Sequence, residues 1–166
     1  YDPRFWQPVV PTFQEHYGLT DESSLLDVGC AKGFLLKDFA KLIPGITVVG
    51  IDISDYAIRN AVGGMEPFLQ VADARDLPFE DDAVDLVISI NTIHNFERDG
   101  VLVALQEIDR VSRQSSFVVV DAYRNEIEKE RIDAWNLTAL TVLSTRDWVS
   151  LFHEAGYNGD YFWFIP

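Results

Sequence analysis

Short apolar runs, each giving way to a stretch with apolar residues at helical spacing, succeed one another along this chain, and that alternation limits the fold more than any other feature. Apolar runs stand at residues 24–28, 47–52, 68–73, 84–91 and 117–121, and an aromatic-rich one at 157–165. Between them, Phe34, Leu35, Phe39 and Leu42 share a helical face, as do Val101, Leu102, Leu105, Ile108 and Val111, and Trp148, Leu151 and Phe152. Five alternations in 166 residues imply an α/β fold: a doubly wound, mostly parallel sheet of six or seven strands with helices on both faces. Ligands of such sheets lie at the carboxyl ends of the strands.

Ahead of the first strand, Val10, Phe13 and Tyr17 predict one amphipathic helix over 8–17, stopped by Gly18. Ser54 is placed to cap a helix after the second strand, and Ser144 with Asp147 forms a capping pattern before Trp148. No linker-like stretch divides the chain, so residues 1–166 read as one domain, with 1–20 as an amino-terminal lid or docking segment. It begins at Tyr1 rather than methionine, which suggests that residues precede it.

The first strand runs into LLDVGCAKGF, residues 25–34, where a strand, a glycine turn and a helix bring backbone close to a ligand. Most such turns hold phosphate, yet Asp27 stands at the mouth of this one. A carboxylate about 4 Å from a phosphate oxygen is repelled by about 4 kcal/mol at an effective dielectric of 20, enough to cancel several hydrogen bonds. The turn also lacks the Gly-Lys-Ser/Thr ending of a phosphate loop, and Gly29-x-Ala31-x-Gly33 departs from dinucleotide spacing, which disfavours a nicotinamide enzyme. An ammonium or sulfonium ligand reverses the sign of the argument, and S-adenosylmethionine has both with a nucleoside attached. Asp52, 23 residues after Gly29, is placed for a ribose diol, and Asp73, with the Ala74 amide, for an adenine edge. The plainer alternatives are that Asp27 caps the turn and that Asp52 and Asp73 cap local backbone.

These segments, LLDVGCAKG, VVGIDIS, VADARDLPFEDDAVDLVIS and INTIHNF, resemble the class I S-adenosylmethionine-dependent methyltransferases, particularly the small-molecule type. The resemblance implies a Rossmann-like methyltransferase fold, S-adenosyl-L-methionine as cofactor, and a cofactor site at Asp27, Gly29, Ala31, Gly33, Asp52, Ile53, Asp73, Ala74 and Asn91. Two departures stand out. Ala31 occupies a position commonly glycine in the family, so its backbone must avoid positive φ or be strained by about 1 kcal/mol. Residues 113–116, RQSS, replace the usual Pro-Gly-Gly turn before the fifth strand. The family's closing hairpin of two strands also has only one aromatic run to form it.

Composition narrows the acceptor. With 27 acidic and 13 basic residues the net charge is −14, which disfavours nucleic acid and anionic membranes as partners. No Asn/Asp-Pro-Pro-Tyr motif follows the fourth strand, which argues against nucleic-acid bases, so a small-molecule methyl acceptor is expected, the alternatives being a protein side chain as acceptor or a regulatory module that binds S-adenosylmethionine without transferring its methyl. Lone Cys30 and scattered His16, His94 and His153 give no metal-ligand spacing, and the compartment is expected to be cytoplasmic and reducing. Candidate catalytic residues are His94 and Asn91 after the fourth strand and Tyr123 after the fifth, although a histidine in such a loop can equally be structural. Phe5 and Trp6 are expected to wall the acceptor pocket with the SINTIHN and DAYR segments, the stretch 135–143 being the alternative wall.

Overall fold

A computed structural model describes residues 1–165 and contains seven strands. β1 (Ser24–Val28), β2 (Thr47–Asp52), β3 (Leu69–Val71), β4 (Val84–Ile90) and β5 (Ser112–Tyr123) form a sheet in the order β3-β2-β1-β4-β5. The far edge of β5 is shared: β7 (Asp160–Phe164) pairs with 117–121 and the two-residue β6 (Leu143–Ser144) with 122–123. Every pairing is parallel. The closing hairpin implied by the family resemblance is therefore replaced by two strands that each run with β5, because a helix separates them and returns the chain to the same starting edge.

Alternating side chains of the central strands feed two apolar layers. Leu26 and Val87 face one with Ile108 and Trp148, while Leu25 and Leu86 face the other with Leu36, Phe39 and Phe13. Helices α3 (Phe34–Leu42) and α5 (Arg98–Val111) cover opposite layers. On α3 the buried face is Leu35, Leu36 and Phe39, and Leu42 is exposed. The remaining helices are α4 (Asp55–Arg59), capped by the Ser54 hydroxyl, α6 (Glu126–Trp135), and α7 (Thr145–Ala155), capped by Ser144 and stopped by left-handed Gly156.

Three local expectations are corrected. The helix expected over 8–17 is α2 (Val10–Tyr17), starting two residues later, and a short helix not expected, α1 (Pro3–Trp6), precedes it, begun where the Asp2 side chain accepts the Arg4 amide. The expected turn at 113–116 is strand: α5 passes straight into β5, and a register irregularity between Val84 and Leu86 absorbs the extra length. The third strand is only Leu69–Val71, with Phe68 closing a 3₁₀ turn that starts at Glu66.

Candidate cofactor cleft and acceptor cavity

At the carboxyl ends of β1, β2 and β4 lies a cleft of about 480 Å³. Gly29, Ala31, Asp52, Ile53, Ala74 and Asn91, six of the nine expected cofactor residues, line it, together with Thr92, Asn95 and Phe96. The glycine turn explains why. Gly29 has φ +88°, and a Cβ there would stand 2.0 Å from Thr92 Oγ1, so only glycine lets the loop after β4 close over the turn. Ala31 does take positive φ, 49°, and its amide donates to Asp52 Oδ2 at 2.8 Å, a bond that holds the strained residue in place. Gly33, the third glycine, does not line the cleft. It turns the chain at φ +76° into α3, where a Cβ would crowd Leu69.

Four of the amides of this turn, Lys32 excepted, are consumed internally. Those of Gly29 and Cys30 donate to Ile51 O, that of Ala31 to Asp52, and that of Gly33 to Cys30 O. A phosphate would find few free donors and one buried acid.

Asp27 is 5% exposed, lines a smaller cavity of about 170 Å³ with Trp6, Gly29, Ala31 and Phe34, and has no hydrogen-bond partner among the described residues. Burial, with a lesser contribution from the negative charge of Asp52, pushes its pKa up to about 7. Such a carboxyl is stabilised by a cation placed in that cavity. The capping alternative for Asp27 does not occur, whereas it does for Asp52, whose Oδ1 accepts the Ser54 amide at 2.8 Å while the side chain still lines the cleft. Asp73 lies differently. Its carboxylate is held by the Arg75 guanidinium at 2.6 Å and by the Arg75 amide, which keep its pKa low, and it does not line the cleft. Arg75 in turn stacks over Phe96 at the cleft wall.

A third cavity, about 190 Å³, is lined by Asn91, His94, Asp121, Trp135 and Leu137 among others. Asn91, at φ +51°, lines both this cavity and the cofactor cleft. His94 is buried, and its Nδ1 accepts the Asp121 amide at 3.0 Å. Because a backbone N–H only donates, the ring proton sits on Nε2; desolvation pushes the pKa down to about 4, so the ring is neutral. His94 is thus a donor at this site. Tyr123, half-buried at the end of β5, lines none of these three cavities. Phe5 is exposed, whereas Tyr1 stacks on Phe34 and its hydroxyl bonds Asp38, docking the amino-terminal segment on α3. Asp121 opens the DAYR segment and Trp135 the stretch 135–143, both expected as pocket walls, although sequence alone assigns neither residue a chemical role.

A profile of the methyltransferase domain matches residues 26–120. The chain belongs to the class I S-adenosylmethionine-dependent methyltransferases. Among curated relatives, a malonyl-[acyl-carrier protein] O-methyltransferase of Legionella pneumophila is 30% identical over 68% of this chain and 40% of its own length. A tRNA (carboxymethyluridine(34)-5-O)-methyltransferase of Arabidopsis thaliana is 32% identical over 86% of this chain and 33% of its own. This chain therefore spans less than half of either relative. The YcgJ protein of Bacillus subtilis shares the fold, with a TM-score of 0.71 at 18% identity over 88% of this chain and 66% of that one. Among the described residues, no helix of this methyltransferase domain is long and apolar enough to cross a membrane. The donor set fits S-adenosylmethionine: a buried unpaired acid beside the glycine turn suits its cationic end, and Asp52 suits a diol.

Proposed function

We propose that this domain transfers a methyl group from S-adenosylmethionine to a small organic acceptor. The observation that carries the reading is Asp27, a buried carboxyl with no hydrogen-bond partner among the described residues, beside a turn most of whose amides are already engaged. Bound there, the cofactor supplies an electrophilic methyl on sulfur. Asp27 balances its charge, Asp52 and the Ala74 backbone orient the nucleoside, and the loop from Asn91 to Phe96 keeps water from the cleft. Because the departing group is a neutral thioether, transfer of the methyl to the acceptor relies mainly on alignment, which is why residues that hold and shield outnumber those that react. The net charge of −14 supports a small acceptor over a polyanion, and a cytoplasmic setting accompanies this reading, supported by the single free, buried Cys30.

Titration calorimetry with S-adenosylhomocysteine and NAD tests the assignment: the adenosyl ligand binds and NAD does not. Asp52→Ala is expected to weaken the adenosyl ligand by more than tenfold, since two charge-assisted bonds are worth about 1.5–3 kcal/mol each, and Asp73→Ala by far less because Arg75 already holds that carboxylate. Tighter binding of NAD, or equal effects of the two substitutions, sinks the reading.

A further inference from the structure

We infer that the cavity between His94 and Asp121 is the acceptor subsite and that it takes a neutral, flat hydroxyl compound in preference to a carboxylate or an amine. The inference rests on the methyl-transfer reading and assigns that reaction its acceptor class. Asp121 is 2% exposed, and both of its backbone polar groups are pinned: the amide donates to His94 Nδ1 and the carbonyl accepts from Trp148 Nε1 at 2.9 Å. Its side-chain Oδ1 is nevertheless buried without a partner, 3.9 Å from His94 Nδ1. A carboxylate left without a donor on a residue that lines the cavity calls for a donor from outside the protein.

The opposite member of the pair is His94 Nε2–H, a donor that makes no hydrogen bond among the described residues, the ring's one bond being through Nδ1. A carboxylate without a donor, beside an N–H without an acceptor, matches a hydroxyl, which gives one hydrogen bond and takes one. A carboxylate has only acceptors and meets the charge of Asp121; an ammonium has only donors and leaves Nε2–H facing a cation. Trp135 and Leu137, both large and exposed, rim the same cavity and supply an apolar surface for a ring. The loop that carries Leu137 is anchored over the site, since the Leu140 and Thr141 amides both donate to His94 O at 3.0 Å. Asn91 joins this cavity to the cofactor cleft, so a hydroxyl held here lies next to the chamber where the methyl is delivered; as the O–CH3 bond forms and the C–S bond breaks, the neutral thioether leaves and the hydroxyl proton passes to the Asp121 carboxylate.

Three probes sharing one ring system separate the classes: 2-naphthol, 2-naphthoate and 2-naphthylmethylamine, each titrated calorimetrically at pH 8 into the whole chain. The naphthol should bind at least tenfold more tightly than either of the others. Asp121→Asn, which keeps size and breaks no existing side-chain bond, should shrink the preference over naphthoate to less than threefold, and Trp135→Ala should weaken naphthol at least fivefold. Equal or tighter binding of naphthoate or the amine to the wild type, an unchanged preference in Asp121→Asn, or indifference to Trp135→Ala overturns the inference. S-adenosylhomocysteine titrated into the same protein keeps the two claims apart. If it binds and the naphthol preference is absent, the acceptor class is wrong and methyl transfer stands; if it does not bind, the methyl-transfer reading fails and the acceptor role fails with it.

Discussion

Replacing Asp27 by Asn should make the empty protein more stable and the cofactor site weaker. The carboxyl has its pKa pushed from 3.8 to about 7 by burial and by Asp52, and an Asn of the same shape removes the charge that burial penalises. A rise of that size corresponds to about 4 kcal/mol, a ceiling reached only where the native carboxyl is ionised. The raised pKa means the native state holds a proton that the unfolded chain has lost between pH 4 and 7. Stability from this group therefore falls as pH rises through that window and is level above it. The advantage of Asp27→Asn should accordingly be small near pH 4.5 and grow to about 2–4 kcal/mol by pH 8. His94 moves the other way: its pKa, depressed to about 4, means that stability is lost as pH falls below about 6.5, so the raw pH profile of the wild type mixes both groups. The difference between wild type and variant, from urea unfolding at pH 4.5, 6 and 8, isolates Asp27. In parallel, S-adenosylhomocysteine should bind the variant at least tenfold more weakly at pH 8. A variant less stable than wild type at pH 8, or an advantage that does not change with pH, refutes the reasoning.

Two backbone substitutions test the glycine turn. Gly29→Ala places a methyl 2.0 Å from Thr92 Oγ1 at a positive φ, and should cost about 3 kcal/mol in urea unfolding; an unchanged midpoint means the loop after β4 does not close on the turn as described. Ala31→Gly should instead stabilise by about 0.5–1 kcal/mol, because relief of the left-handed strain exceeds the added freedom of the unfolded glycine, and a loss of stability shows that Ala31 is unstrained.

Elements set by local chemistry were legible in the sequence. Ser54 and Ser144 cap the helices they precede, Gly18 and Gly156 stop theirs, and the apolar runs of β1, β2 and β4 fall where periodicity puts them. Residues 113–116 read as turn because they stand where the family resemblance puts one, but parallel pairing with β4 recruits them into a strand. The same division holds at the site. Asp52 and the glycines announce themselves by spacing, whereas Asp73 is diverted by Arg75, and the neighbour two residues on could be weighed only once its geometry was known. The DAYR segment was legible as a pocket wall, but the part played by Asp121 within it was not: what distinguishes it is the orphaned Oδ1, a property of a buried position and not of a pattern.

Since all seven strands point one way, the molecule has two unlike rims. The trailing rim is fastened: Asp85 accepts from the Ser24 amide and hydroxyl and from the Arg113 guanidinium, and Arg113 also donates to the carbonyls of Asp82 and Ala83. The leading rim carries the turn, the loop from Asn91 to Phe96, and the stretch after Trp135. Substitutions that retune what the leading rim accepts leave that fastening untouched, and their effects on folding should add to those made at Asp85 or Arg113 without coupling. A scaffold so divided can exchange its client molecules by loop replacement while inheriting its stability unchanged, and the diversity of acceptors named among its relatives is what such independence permits.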